Sequence, residues 1–169
     1  VCYGIELDIK KNLSFLGMKD FNFIFNGAYI YSRIYFPEGA FERNRPMQGQ
    51  SPYLINTGMF YQNDKAGWSA SILYNVIGKR IETVGIPKQN PNDDIPDVYE
   101  MPRNMLDFSI SKKIGKYVEI KGGIVDLLNT KVVYKQFLKI TEGESTHTVE
   151  ELVKSYRPGM QINLGVSVK

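Results

Sequence analysis

The chain has 169 residues and a formal net charge of +3, and 43% of its residues are hydrophobic, 12% aromatic and 23% charged. This length allows one domain with a sizeable core, and the nearly balanced charge lacks the basic excess of a nucleic-acid-binding protein. Cys2 and His147 are the sole residues of their types, which leaves little for a disulfide, a metal site or a histidine-based triad. We therefore expect no nucleic-acid partner, no metal, no cofactor and no catalytic residue, and hence no enzyme.

Apolar and polar residues alternate with period two along most of the chain, which predicts an all-β protein. The alternation begins at once in VCYGIELDIK, without a secretory leader pattern, and no apolar run nears the roughly 18 residues of a membrane helix. Membrane-spanning strands remain open, because their apolar residues alternate with polar ones. We predict seven strands, at residues 3–9, 20–36, 53–62, 67–83, 106–111, 118–124 and 160–168.

The connections between these strands alternate in length. Tight connections fall near 11–19, 63–66 and 114–116, and long ones, with more proline or charge, near 37–52, 84–102 and 130–155. Outer-membrane barrels have short periplasmic turns and long extracellular loops, whereas a soluble sandwich has no reason to keep this order. The pattern favours an antiparallel up-and-down meander that is part of a transmembrane β-barrel.

The third long connection has two interpretations. Residues 130–155 either extend a hairpin as two strand ends, with TEGESTH at the tip, or contain a capping box from Thr148 to Glu151 that opens one helical turn at VEELVKSY. We expect residues 37–50, 84–102 and 130–155 to be extracellular and mobile and to hold any ligand contacts. Cysteines introduced at Asn92 and Glu144 and labelled in intact cells would test this topology.

The alternation also assigns each strand residue to one of two faces. Aromatic residues near strand ends, where Tyr and Trp favour the headgroup region, support a lipid-facing side; they are Tyr3, Phe21, Tyr53, Tyr61, Trp68 and Tyr117. The predicted lipid face holds Ile5, Leu7, Ala70, Ile72, Tyr74, Leu106, Phe108, Ile110, Val118, Ile120, Leu164 and Val166. The predicted lumen face holds Glu6, Asp8, Ser69, Ser71, Asp107, Ser109, Glu119, Lys121, Asn163 and Ser167. If Ile120 lies at the bilayer midplane, Ile120→Arg is expected to cost about 2–4 kcal/mol.

Three long segments resemble the late barrel strands of TonB-dependent outer-membrane receptors of the Bacteroidetes type. They are MQGQSPYLINTGMFYQNDKAGWSASILYNVIGKRIETVG, DIPDVYEMPRNMLDFSISKKIGKYVEIKGGIVDLLNT and YRPGMQINLGVSVK. The resemblance covers nearly the whole chain, most specifically residues 46–130 and 156–169, and it rests on long segments in the right order rather than on catalytic motifs.

The resemblance implies that residues 1–169 form the C-terminal segment, about seven strands, of a barrel of twenty-two. The family has an N-terminal plug and a TonB box, neither of which is in this sequence, and it imports siderophores, cobalamin, glycans or peptides across the outer membrane. The implied partners are outer-membrane lipid, the remaining barrel strands and plug, TonB, and the barrel-assembly machinery. Ligand contacts in this family come jointly from plug, lumen and loops, so the ligand-binding residues stay unknown.

The last strand carries the residue pattern that the assembly machinery of this family recognises. A polar residue, a glycine two positions later and alternate apolar residues match Asn163, Gly165 and Val168. The aromatic residue that usually completes the pattern would follow Lys169 and is not in the sequence.

Other classes of protein stay open at this point. One is a complete small outer-membrane barrel of about eight strands. Against it, single-chain bacterial barrels have an even number of strands, whereas seven strands are predicted here. Another is a soluble all-β carbohydrate- or ligand-binding module. The acidic residues Asp93, Asp94, Asp97 and Glu100 could hold calcium or act as acid and base, but their spacing fits no EF-hand loop. As part of a barrel, the chain should leave two sheet edges that pair with other strands, since bare edges are not tolerated in hydrocarbon.

Overall fold

A computed structural model describes residues 1–88, 94–142 and 145–168, without the side chains of 141 and 142. The described part is all-β, with one turn of 3-10 helix at Leu13–Leu16. Its strands are β1 Cys2–Asn12, β2 Phe21–Ser32, β3 Tyr53–Asn63, β4 Trp68–Ile77, β5 Arg80–Thr83, β6 Val98–Glu100, β7 Arg103–Ile114, β8 Val118–Val125, β9 Val132–Glu142, β10 Ser145–Tyr156 and β11 Gln161–Val168. Within these residues, no helix is long and apolar enough to cross a membrane.

The strands form two antiparallel sheets that share one topology. The seven-stranded sheet has the order β1-β2-β3-β4-β7-β8-β11, and the four-stranded sheet has the order β5-β6-β9-β10. The four strands of the smaller sheet are continuations of the last four strands of the larger sheet, in the same order. Along the chain, β4 continues into β5, β6 into β7, β8 into β9 and β10 into β11. The described residues therefore make seven long passes, each paired with its sequence neighbour, and the predicted antiparallel meander is confirmed.

Short interruptions divide the last four passes into two strands each. Gly78 and Lys79 separate β4 from β5, and Met101 and Pro102 separate β6 from β7; proline cannot donate a ladder hydrogen bond. Residues 126–131 separate β8 from β9, and there Asp126 and Asn129 adopt positive φ angles of 57° and 46°. These breaks turn the ends of four strands into a separate sheet.

The predicted tight connections are short in the structure, and the first of them spans residues 13–20 and includes the 3-10 turn. Asn63 and Trp68 flank a turn in which the Asn63 side chain accepts a hydrogen bond of 2.8 Å from the Ala66 amide and Gly67 has φ of 68°. Gly115, with φ of 60°, lies in the three-residue turn between β7 and β8. Glycine suits both turns because it adopts positive φ without a steric penalty.

Two of the predicted long connections contain more strand than the sequence indicated. Strands β9 and β10 pair as an antiparallel hairpin, so the strand interpretation is correct and the helical turn opening at Thr148 is wrong. Residues 143 and 144 of the predicted tip lie outside the described residues. Residues 84–102 include β6, and Ile86 bridges Ile95. Strand β1 also runs through Asn12, beyond its predicted end at residue 9.

The described residues bury very few apolar side chains. Those that are buried are Ala28, Val76, Ile81 and Val132, and of these Ile81 is fully buried. Extensive contacts between elements follow the hydrogen-bonded ladders, and large apolar side chains of both sheets stay exposed, among them Ile72, Leu152 and Leu164. The interior expected of a two-sheet sandwich is therefore not formed by these residues.

Candidate functional site

Strand register separates an apolar face of the seven-stranded sheet from a polar face. Residues paired across neighbouring strands share a face, and the rows Trp68-Lys112-Ile120-Val166 and Ile72-Phe108-Ile124-Ile162 lie on the apolar one. Every residue predicted for the lipid face falls on this apolar face, and every residue predicted for the lumen falls on the opposite, polar face. The division predicted from the sequence is confirmed, while contact with lipid remains a prediction.

The apolar face is uncovered. Leu164 is 86% exposed, Ile5 77% and Ile162 69%, and even Ile72, in the middle of the sheet, is 44% exposed. Lys11 and Lys112 are the charged strand residues on this face, both near the tight turns. A continuous apolar surface of this extent is a mark of contact with a partner or a membrane.

Aromatic rings lie at both ends of the apolar face, and Phe23, Phe25, Tyr74 and Phe108 lie between these two levels. Near the tight turns, Phe21 lies 5.0 Å from Tyr61 between ring centroids, and the Lys112 ammonium lies 4.7 Å from the Trp68 ring. Near the other end, Tyr29 pairs in register with Tyr53, and Tyr3 stacks on Tyr31 at 4.9 Å. The Phe21-Tyr61 and Tyr29-Tyr53 rows are eight residues apart, which is about 27 Å along the strands.

The tight turns are staggered relative to the rows of paired residues. Asn12 is the last residue of β1, and the residues paired with it on successive strands lead to Ser109 on β7, four strands away. Strand β7 does not end there but continues for five more residues, to Ile114. Five residues are about 17 Å along a strand, and four strand spacings are about 19 Å across the sheet. If the tight turns share one level, the strands tilt by roughly 40° from its normal.

The polar face carries side-chain ladders. The hydroxyl pairs Ser69–Ser111 and Ser71–Ser109 are hydrogen-bonded at 2.7 and 2.8 Å. The side chains of Asn26, Asn56 and Asn75 form a chain of hydrogen bonds across β2, β3 and β4. The Lys121 ammonium lies 3.1 Å from the Glu119 carboxylate. Such groups need water or polar partners on this side of the sheet.

A buried ion pair lies where β8 ends. Asp126, 5% exposed, is paired with Arg103 on β7, and its backbone amide donates to the Asp107 carboxylate at 2.8 Å. Arg103 Nε, Asp126 Oδ1 and Asn129 Oδ1 are buried without a hydrogen-bond partner among the described residues. These residues hold the left-handed backbone at the junction of the two sheets.

The three predicted long connections meet at a cleft of about 690 Å³ beside the four-stranded sheet. Residues of all three connections line it, and they are Arg43, Asn44, Arg45, Pro46, Val84, Gly85, Pro87, Asp94, Ile95, Pro96, Asp97, Tyr99, Phe137, Leu138, Lys139, Ile140 and Thr146. The volume is in the range of small-molecule sites. Sequence reasoning named the connections but not these residues, because they are far apart in the chain.

The acidic side chains of the cleft are engaged by the protein. Asp94 pairs with Arg43 and accepts a hydrogen bond of 2.7 Å from the Lys88 amide. Asp97 accepts one of 2.8 Å from the Gly85 amide. Burial, followed by the charge of Asp97 and a hydrogen bond to it, raises the pKa of the Tyr99 phenol above its ordinary value.

Two residues of the predicted acidic cluster, Asp94 and Asp97, therefore stabilise the loops around the cleft. A third, Glu100, forms a 2.7 Å ion pair with Arg80. Asp93 lies outside the described residues. Over the described ranges, no group of three or more His, Cys, Asp or Glu side chains is arranged to hold a metal ion.

The residues of the predicted assembly signal lie on an edge strand. Among the described residues, β11 pairs with β8 alone, which opposes Asn163 to Gly123, Gly165 to Lys121 and Val168 to Val118. Asn163 and Gly165 lie on the polar face and Val168 on the apolar face. Recognition by assembly machinery remains a prediction.

Comparison with protein-family models, with curated proteins and with solved structures finds no match for this chain.

Proposed function

We propose that these residues form part of the wall of a β-barrel in a bacterial outer membrane, namely the C-terminal barrel portion of a TonB-dependent transporter. The observation that carries the barrel proposal is the uncovered apolar face, bounded by two levels of aromatic rings. A soluble protein of this length would bury such a face against a second layer. In a barrel the same face contacts lipid and the aromatic levels lie in the headgroup regions.

The strand geometry supports the same proposal. A tilt of roughly 40° lies within the 35–45° of outer-membrane barrels, and at that tilt the two aromatic levels are about 20 Å apart in height, near the roughly 25 Å of an apolar band. Strands β1 and β11 each pair on one side only in the described part of the chain. We expect further barrel strands to pair with these edges, because bare strand edges in hydrocarbon are costly.

The transport part of the proposal rests on the sequence resemblance to TonB-dependent receptors. The substrate would be a siderophore, cobalamin, a glycan or a peptide, and the plug, TonB and the barrel-assembly machinery would be partners. The cleft is then an external surface, since it lies on the side of the long connections.

Cysteine labelling in intact cells tests this topology. Because Cys2 is exposed, the background carries Cys2→Ser. We expect a membrane-impermeant maleimide to label Glu42→Cys and Lys88→Cys, on the long connections, in intact cells. Lys116→Cys, in a tight turn, should react only after the outer membrane is permeabilised. Asn92 and Glu144, suggested by the sequence, lie outside the described residues.

Two results would contradict the proposal. The reverse labelling pattern would invert the topology. A monomer that is soluble without detergent, with all three positions labelled alike, would instead favour a soluble all-β binding module.

A further inference from the structure

We propose that the cleft binds an anionic ligand with an aromatic or apolar body, and that Arg45 receives its carboxylate. The inference rests on the proposed function in one respect, which is that the cleft faces the exterior. It names the substrate chemistry that this part of the protein would select.

The position of Arg45 is fixed by its backbone and by an aromatic ring. Its amide and carbonyl both bond to Ile34, at 3.3 and 2.8 Å, and its guanidinium carbon lies 4.9 Å from the centroid of the Phe36 ring. The Phe36 amide in turn donates to the Asn44 side chain at 2.9 Å. A guanidinium held in this way loses little conformational entropy when it binds an anion.

The charge of Arg45 is not neutralised by the described residues. Its Nε is buried and has no hydrogen-bond partner there, and none of the ion pairs in those ranges involves Arg45 or Lys139. The two described acids of the cleft, Asp94 and Asp97, are already bonded to Arg43 and to backbone amides. An incoming carboxylate would therefore meet two cations without ion-pair partners, and a planar carboxylate matches the guanidinium fork.

The remaining walls of the cleft favour an apolar body on the ligand. Tyr99 and Phe137 form an edge-to-face pair with ring centroids 5.6 Å apart. Other apolar residues also line the cleft, and they are Pro46, Val84, Pro87, Ile95, Pro96, Leu138 and Ile140. Small-molecule sites commonly combine mostly apolar walls with a few polar groups that fix orientation.

Calorimetry of the full chain in detergent, with 2-naphthoate as the probe, tests the proposal. The neutral isostere 2-naphthamide is the control ligand, and heats from protein-free micelles are subtracted. We expect 2-naphthoate to bind about tenfold more tightly than 2-naphthamide, because charge-assisted hydrogen bonds exceed neutral ones. Arg45→Gln should weaken 2-naphthoate binding about tenfold.

Two further variants keep the test decisive. Arg157→Gln removes an exposed arginine outside the cleft and should leave binding unchanged. Lys139→Gln, at an exposed position, should weaken 2-naphthoate binding by a smaller factor. If Arg45→Gln does not fold, the effect of Lys139→Gln tests whether cations of the cleft bind the carboxylate. Absence of 2-naphthoate binding, equal binding of the two probes, or unchanged binding after loss of these cations would overturn the inference. Labelling of the membrane topology does not depend on the cleft, so either proposal can fail alone.

Discussion

The two sheets are made by the same passes of the chain, yet they place their side chains differently. In the seven-stranded sheet, one face is apolar and the other polar. In the four-stranded sheet, both faces mix the two kinds: on one face Phe137 opposes Glu150, and on the other Ile140 opposes His147. Alternation that persists through one sheet and disappears in the other indicates two environments. One sheet needs an apolar neighbour on one side, whereas the other tolerates water on both.

The junction between the sheets should give the largest effect on stability. Asp126→Asn keeps the shape and the tolerance for positive φ but leaves the Arg103 guanidinium without its anion. We expect the free energy of unfolding to fall by about 3–5 kcal/mol, as for other buried pairs that lose one partner. Urea unfolding in lipid vesicles measures this change. Glu100→Gln, in the more exposed Arg80 pair of the four-stranded sheet, is the matched control and should cost less. Equal losses would show that the junction has no special role.

An arginine placed on each sheet compares their surroundings directly. Ile72 lies midway along β4, whereas Ile120 is two residues from the start of β8 and in the same row as Trp68. Ile72→Arg should therefore cost about 2–4 kcal/mol and Ile120→Arg less, because the penalty falls toward the interface. Ser71→Arg on the polar face and Leu152→Arg on the four-stranded sheet should cost little. A small loss for Ile72→Arg in lipid would contradict the lipid assignment.

The sequence predicted the seven-stranded sheet better than the four-stranded one for a physical reason. An apolar face imposes period two, so segments such as residues 160–168 were predicted as strands with the correct faces. Strand β10 mixes polar and apolar side chains on both faces, so its STHTVEELVKSY allowed a helix as well as a strand. The breaks at Gly78 and Asp126 depend on pairing between distant strands. The cleft depends on Arg45, Tyr99 and Phe137 coming together from three connections, and alternation along one segment carries no information about that.

Beside the four-stranded sheet, Lys79 should make a modest contribution to stability. Its ammonium lies 4.5 Å from the ring centroids of both Tyr99 and Phe137. Lys79→Met keeps an apolar stem but removes the charge, and we expect a loss of about 0.5–1 kcal/mol for an exposed cation–π contact. Lys116→Met, in a tight turn, is the control in the same unfolding assay. No difference between the two variants would mean that the aromatic pair gains nothing from the ammonium.

The smallest expected effect is a loss of stability in alkali that originates at Tyr99. Because burial and the adjacent Asp97 raise the pKa of its phenol above 10.0, the folded protein holds this proton at a higher pH than the unfolded chain does. The contribution to stability is therefore fully present below the unfolded pKa and is lost as pH rises through the folded one. Tyr99→Phe has no proton to lose, so its free energy of unfolding should fall less than that of the unmodified protein between about pH 9 and 12. Lysines titrate in the same window, so the difference between the two proteins, rather than either curve, isolates Tyr99. Tyr117→Phe, at an exposed turn position, is the control and should follow the unmodified protein. Parallel curves for all three proteins would mean that the surroundings of Tyr99 do not favour the neutral phenol, and the packing of Tyr99 against the cleft would have to be reconsidered.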